Sequence, residues 1–200
     1  MKKTLMSIVM LTAVLSASAQ LSLNTNGEYE LKVTEQYSGA SAKTLYENTL
    51  VALADITNQN FVNASLEILR KNAGFNDTRL SSLGMSRFIS LDVADKEAGL
   101  IVCKGSLFIE YSKSRGHSAN YILKIRCKDG RVQYDITVPS VMLVPDGLTG
   151  GTVPLKYLSE CEIKMVANVK EKLFPQIGPL VKSFQQDIVK QTKVALANDF

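Results

Sequence analysis

The chain has no tryptophan, a single histidine and three cysteines among its 200 residues. With His117 alone, a metal site built from several imidazoles is excluded, and Ser-His-Asp or Cys-His chemistry must run through that one residue. The GxSxG, Walker A, HExxH and CxxC motifs are absent, which removes several common catalytic, nucleotide-binding and zinc signatures. No apolar run approaches the ~20 residues needed to cross a bilayer, so a polytopic membrane protein is excluded. A strong charge of one sign is also missing. The net charge of +4 includes Lys2 and Lys3, and a chain so close to neutrality does not read as a dedicated nucleic-acid binder. What remains, 46% hydrophobic and 21% charged, is ordinary globular composition with room for one domain and its core.

The first residues read as a secretory signal. Lys2 and Lys3 form a short basic start, Leu5 to Leu15 is mostly apolar, and Ala17-Ser18-Ala19 supplies small residues for cleavage before Gln20. No cysteine follows the cleavage point, so a lipid anchor has no attachment site there. The expected destination is the periplasm or the extracellular space.

Beyond the leader, Glu28 to Tyr37 alternates, with Tyr29, Leu31 and Val33 on one side and Glu28, Glu30, Lys32 and Thr34 on the other. Period two predicts a strand with one buried face. Ser38-Gly39-Ala40-Ser41 ends it, and Ser41 is placed to cap a helix. Leu45, Tyr46, Thr49, Leu53 and Ile56 then share one helical face. A shorter helical stretch follows with Phe61, Val62, Leu66 and Leu69, Gly74 is placed to end it, and Asn76 to Gly84 reads as a polar loop. In the final quarter, Leu158, Cys161, Met165, Val169 and Leu173 form one helical stripe. Ile177, Leu180, Val181, Phe184, Ile188 and Ala195 form another, with Pro175, Gly178 and Pro179 expected to interrupt between them.

The middle of the chain predicts four strands: Phe88–Val93, Leu100–Tyr111, Tyr121–Lys128 and Arg131–Val138. Asp129-Gly130 is a strong hairpin signal and implies positive φ at both turn residues. Around it Cys127 opposes Val132, Ile125 opposes Tyr134, Leu123 opposes Ile136 and Tyr121 opposes Val138, all apolar. With Ser112–Ser118 taken as a loop, the preceding hairpin opposes Cys103 to Cys127, Leu107 to Leu123 and Ile109 to Tyr121. Both hairpins name the same core face, which predicts an antiparallel meander.

Asp95-Lys96-Glu97-Ala98-Gly99, then Ile101-Val102, Lys104-Gly105, Tyr121 to Ile125, Lys128-Asp129-Gly130 and Tyr134, resemble a family of secreted Bacteroidetes domains of unknown function with a TATA-binding-protein-like (TBP-like) fold. The resemblance covers about residues 28–144. It implies an α+β fold: strand, helix, four antiparallel strands and a helix, with the helices on one face of the sheet, and against that pattern Asn60 to Gly84 looks like an insertion. From its own apolar stripes, the C-terminal helical segment at 155–198 is expected to pack on the same face. The resemblance implies no site and no DNA binding.

Residues capable of chemistry have plain readings in this sequence. His117 sits among glycine and serine and reads as a solvated loop residue. Asp92, Asp95 and Glu97 lack calcium-loop spacing and read as a polar turn around Lys96. Cys103 and Cys127 read as two buried thiols, with a cross-strand disulfide as the competing arrangement. No cofactor and no metal are expected.

The outward sheet face carries the candidate binding residues. Phe108 opposite Ile122 makes an apolar spot, and Lys104 opposite Arg126 makes a cationic rim. The expected function is a non-catalytic exported binding or structural module. Its partner would be an envelope protein or a small acidic or amphipathic ligand, held on this face or by the loop Ser112 to Asn120. A hydrolase-like enzyme with a dispersed carboxylate pair is the alternative. Membrane-surface association through the lysine-bearing C-terminal helices comes third.

Overall fold

The computed structural model describes residues 23–59, 89–112, 115–143, 151–162 and 164–198. The leader and the insertion at 60–84 lie outside the described residues. Strand β1 is Tyr29–Gln36 and helix α1 is Ala42–Gln59; β2 (Ile89–Asp95), β3 (Leu100–Ser112), β4 (Arg115–Lys128), β5 (Arg131–Leu143) and β6 (Gly151–Pro154) follow. Helices α2 (Leu155–Glu160) and α3 (Lys164–Asn198) close the chain. The sheet runs β1-β5-β4-β3-β2, entirely antiparallel, and β6 pairs with the far end of β5 in line with β1.

Period two sets the faces. Ile101, Cys103, Leu107 and Ile109 of β3, the odd residues Ala119–Cys127 of β4, and Val132, Tyr134, Ile136 and Val138 of β5 are all buried in one core. Helix α1 contributes Leu45, Tyr46, Leu53 and Ile56, and α3 contributes Leu173, Ile177, Val181, Phe184 and Ile188. The Tyr121 and Phe184 rings meet in the centre at 4.9 Å, where aromatic pairs add to simple area burial. The apolar stripe of α3 is therefore spent on the sheet and on α1. Among the described residues no helix is long and apolar enough to cross a membrane.

Helix α1 starts where its caps allow. Ser41 Oγ accepts the Thr44 N–H at 3.1 Å, and Asp129 Oδ1 accepts the Ala42 N–H at 2.8 Å from the β4–β5 turn. Two otherwise unpaired N–H groups are thus satisfied, one of them by a residue distant in sequence. The turn itself differs from expectation: Gly130 has φ +72°, and among the described residues no non-glycine residue has positive φ. Asp129 stays in an ordinary L-residue conformation, and its carboxylate serves α1.

The register of the first hairpin also differs. Cys103 pairs with Leu123, Lys104 with Ile122 and Phe108 with Ser118, so β3 slides four residues from its expected place against β4. Arg115 to Asn120, expected as loop, is strand, because β3 on one side and β5 on the other supply its backbone with partners. An even slip leaves each side chain on its expected face. At the other hairpin, Cys127–Val132, Ile125–Tyr134 and Leu123–Ile136 pair as expected. Tyr121 sits at a register shift between Asn120 and Ile122. The extra residue on the β5 side falls beside Pro139, where a missing N–H costs the ladder nothing.

Helix α3 runs through Pro175 and Pro179 without a break. Both prolines are exposed, and their i, i+4 spacing places them on one face. The carbonyls they leave unbonded face water, while the buried residues opposite hold the helix to the sheet.

Candidate functional site

The slip in β3 changes the pairing expected across the outer patch. Lys104 lies beside Ile122, and Arg126 lies opposite Leu100, so their charges are not side by side. Lys104 Nζ is bound to Asp92 Oδ2 at 2.6 Å, which offsets its own charge. The Phe108 side chain lies outside the described residues. Ile122 is half-buried beside a polar chain in which Ser106 Oγ donates to Asn120 Oδ1 (2.8 Å) and Asn120 Nδ2 donates to Ser140 Oγ (3.1 Å). Lys124 does face Asp135, and Asp135 also faces Lys32. The surface they form is polar, and Asp135 Oδ1 is buried in it without a hydrogen-bond partner among the described residues.

His117 is buried, 5% exposed, in β4 opposite Ile109. Cys103 pairs six residues further along β4, about 20 Å away at ~3.3 Å per residue, so no Cys-His pair forms there. Cys103 and Cys127 are free and buried. The observed register separates them by four residues, about 13 Å, beyond disulfide reach. Burial pushes the Cys103 thiol up to about 11, with Asp92 adding to the effect. Burial also pushes Cys127 up to about 11, against the hydrogen-bonding pull of Thr49. Both are protonated near neutrality, the unreactive form. Asp95 Oδ1 accepts the Ala98 N–H at 2.9 Å, and Lys96 pairs with Glu47 at 2.7 Å, so the acidic turn is engaged in structure. Among the described residues no Asp or Glu is buried and no cluster of metal-ligating side chains occurs.

A concavity among the described residues lies elsewhere, between β1 and the last turns of α3. It holds about 730 Å³, within the range of small-ligand clefts. Its wall from β1 is Leu31, Val33 and Glu35, every second residue of the strand. Its wall from α3 is the stripe Gln185, Val189, Lys193 and Val194, flanked by Lys182 and Lys190. Val194 is 46% exposed. Gln185 is 4% exposed, and its Nε2 has no hydrogen-bond partner among the described residues. A buried amide donor left this way costs about 1–3 kcal/mol. Lys193 Nζ stands 3.8 Å from Glu35 Oε2 and 6.0 Å from the Tyr37 ring centroid. Lys182 and Lys190 have no ion-pair partner among the described residues. The arrangement suits an apolar body with acceptor or anionic groups on it.

The residues of this groove are legible singly but not together. The alternation of β1 and the lysines of α3 are plain in the sequence; their meeting is a tertiary fact.

No family model and no curated protein matches the chain. Among solved structures it is similar to a TBP-like protein from Parabacteroides distasonis, with a TM-score of 0.55 over 88% of this chain and 98% of that one, at 11% identity. The fold is TBP-like. A DUF4468 family protein from Bacteroides ovatus aligns over 86% of this chain and 88% of its own, at 14% identity and a TM-score of 0.44. At these identities the likeness speaks of fold, and the TBP-like sheet brings no function with it.

Proposed function

We propose that this TBP-like chain is a non-catalytic, exported binding module whose ligand is acidic and amphipathic and lies in the groove between β1 and α3. One observation carries the reading. Gln185 places an unpaired, buried amide donor in a groove with apolar walls and a lysine rim. Core packing alone gives no reason for a polar donor to be buried there without a partner. A ligand acceptor supplies that partner, and Lys182 and Lys190 attract the accompanying negative charge. Export rests on the basic, apolar and small-residue pattern of the first residues.

The test is titration of the mature chain with anilinonaphthalene sulfonate, an anionic and apolar fluorophore. The probe is expected to bind the native protein and to lose roughly tenfold in affinity on Val194→Glu, a change of about 1.4 kcal/mol. Val194 is exposed, so melting temperature should hold. Ile122→Glu on the outer face should leave the affinity unchanged. Loss of binding on Ile122→Glu with none on Val194→Glu would overturn the groove in favour of the outer face.

A further inference from the structure

Resting on that reading of the groove, we infer that its occupant is an extended acidic segment of a partner protein, which adds as a strand to the free edge of β1. Strand β1 ends the sheet. Its residues pair with β5 on one side only, and among the described residues the bridge Leu23–Tyr29 is the one contact with another extended segment beyond that ladder. Glu30 to Gln36 therefore present a second row of backbone donors and acceptors. An unpaired edge of this kind is a template for strand addition, in which main-chain bonds give affinity and alternate side chains give specificity.

The groove lies along this edge, and α3 forms its other wall. A strand added beside β1 directs every second side chain into the layer that Leu31 and Val33 already occupy, against Val189 and Val194. Its remaining side chains face the opposite side of the sheet. Gln185 lines the groove, and its buried Nε2 has no hydrogen-bond partner among the described residues. The wall carries Lys182, Lys190 and Lys193 against Glu35 alone, so an acidic segment is the complementary one. The same charges disfavour a second copy of this chain, because edge-to-edge pairing of two β1 strands brings both sets of lysines to one seam. Glu35, an inward-facing charge held by Lys193, discriminates against a purely apolar strand.

The experiment uses the mature chain and three capped peptides of about seven residues, the length of the free edge at ~3.3 Å per residue. One carries Val and Glu in turn at every second position, so that both enter the α3 side, with Thr between; one replaces those Glu by Lys, and the third is the Glu/Val peptide N-methylated at alternate residues. The Glu/Val peptide is expected to bind at least roughly tenfold tighter than either of the others. It should also slow hydrogen exchange of the β1 amides, and Lys190→Glu should weaken it. Equal binding of the N-methylated peptide would overturn strand addition. Binding of anilinonaphthalene sulfonate without binding of the Glu/Val peptide would overturn the inference and leave the groove reading intact, whereas failure of both would remove the two together. Concentration-dependent self-association that protects β1 without peptide would overturn it in favour of a second copy.

Discussion

Gly99 offers a sharp test of how the TBP-like sheet is closed. It ends the Asp95–Gly99 turn with φ +61°, and its carbonyl accepts the Cys127 N–H at 2.8 Å. A Cβ built there meets the Cys127 carbonyl oxygen at 2.5 Å, a contact with backbone that no rotamer relieves. Gly39 is the internal control: its φ is +82°, but a Cβ there meets nothing within 4 Å. For Gly39→Ala only the left-handed penalty applies, about 1–2 kcal/mol, offset by about 0.4–1 kcal/mol from a stiffer unfolded chain. The net loss is about 1 kcal/mol. Gly99→Ala carries the same penalty, and β4 must also move from the turn. That motion weakens a backbone hydrogen bond worth about 0.5–1.5 kcal/mol and strains its neighbours. The expected loss is about 2–4 kcal/mol, against about 1 for the control, read as a shift in urea midpoint at constant slope. Equal losses at the two positions would refute the argument, because they would mean that the close approach to Cys127 carries no energy.

Other outcomes follow from the same geometry. Asp129→Ala removes the acceptor for the Ala42 N–H and should lower stability by about 1 kcal/mol; Asp129→Asn should recover most of it, measured by urea denaturation. Cys103 and Cys127 have folded-state values near 11, above the ordinary value of 9.0. Because the folded values are raised, their contribution is whole below pH 9 and is lost as pH climbs through 9 to 11. Each thiol accounts for about 2–3 kcal/mol of that loss. The alkaline fall in melting temperature should shrink in Cys103→Ala/Cys127→Ala, compared against that variant's own melting temperature at pH 7. Lys104→Ala breaks only an exposed pair with Asp92 and should change stability by less than about 1 kcal/mol. Mass spectrometry of protein recovered from a host cell envelope should find Gln20 as the first residue, and a retained leader would refute the export expectation.

Much of the fold is legible in local pattern. Leu45, Tyr46, Leu53 and Ile56 are spaced for one helical face and are buried on one. Ser41 precedes them as a capping residue and makes the capping bond. The inward residues of β3, β4 and β5 follow from alternation alone, which explains why a four-residue error in the register of β3 moved none of them to the wrong side. His117 was misread because a polar, glycine-containing stretch has weak strand preference of its own. Its neighbours on both sides decide the matter. Pro175 and Pro179 read as helix breaks, but packing of the opposite face and access of their own face to water override a local preference.

By itself, then, the sequence determined which apolar residues of the strands and of α1 are buried, because periodicity is a local property that burial reads directly. Pairing register, the state of His117 and the separation of Cys103 from Cys127 depend on where strands meet, and loop length and neighbouring strands decide that. The groove belongs wholly to the tertiary structure. Leu31 and Val33 lie far in sequence from Gln185, Val189 and Val194, and only the packing of α3 along the edge of β1 brings them to one cleft. A buried, unpaired amide such as that of Gln185 has no sequence signal, since glutamine on a helix ordinarily faces water; its burial is a consequence of which face the rest of α3 commits to the core.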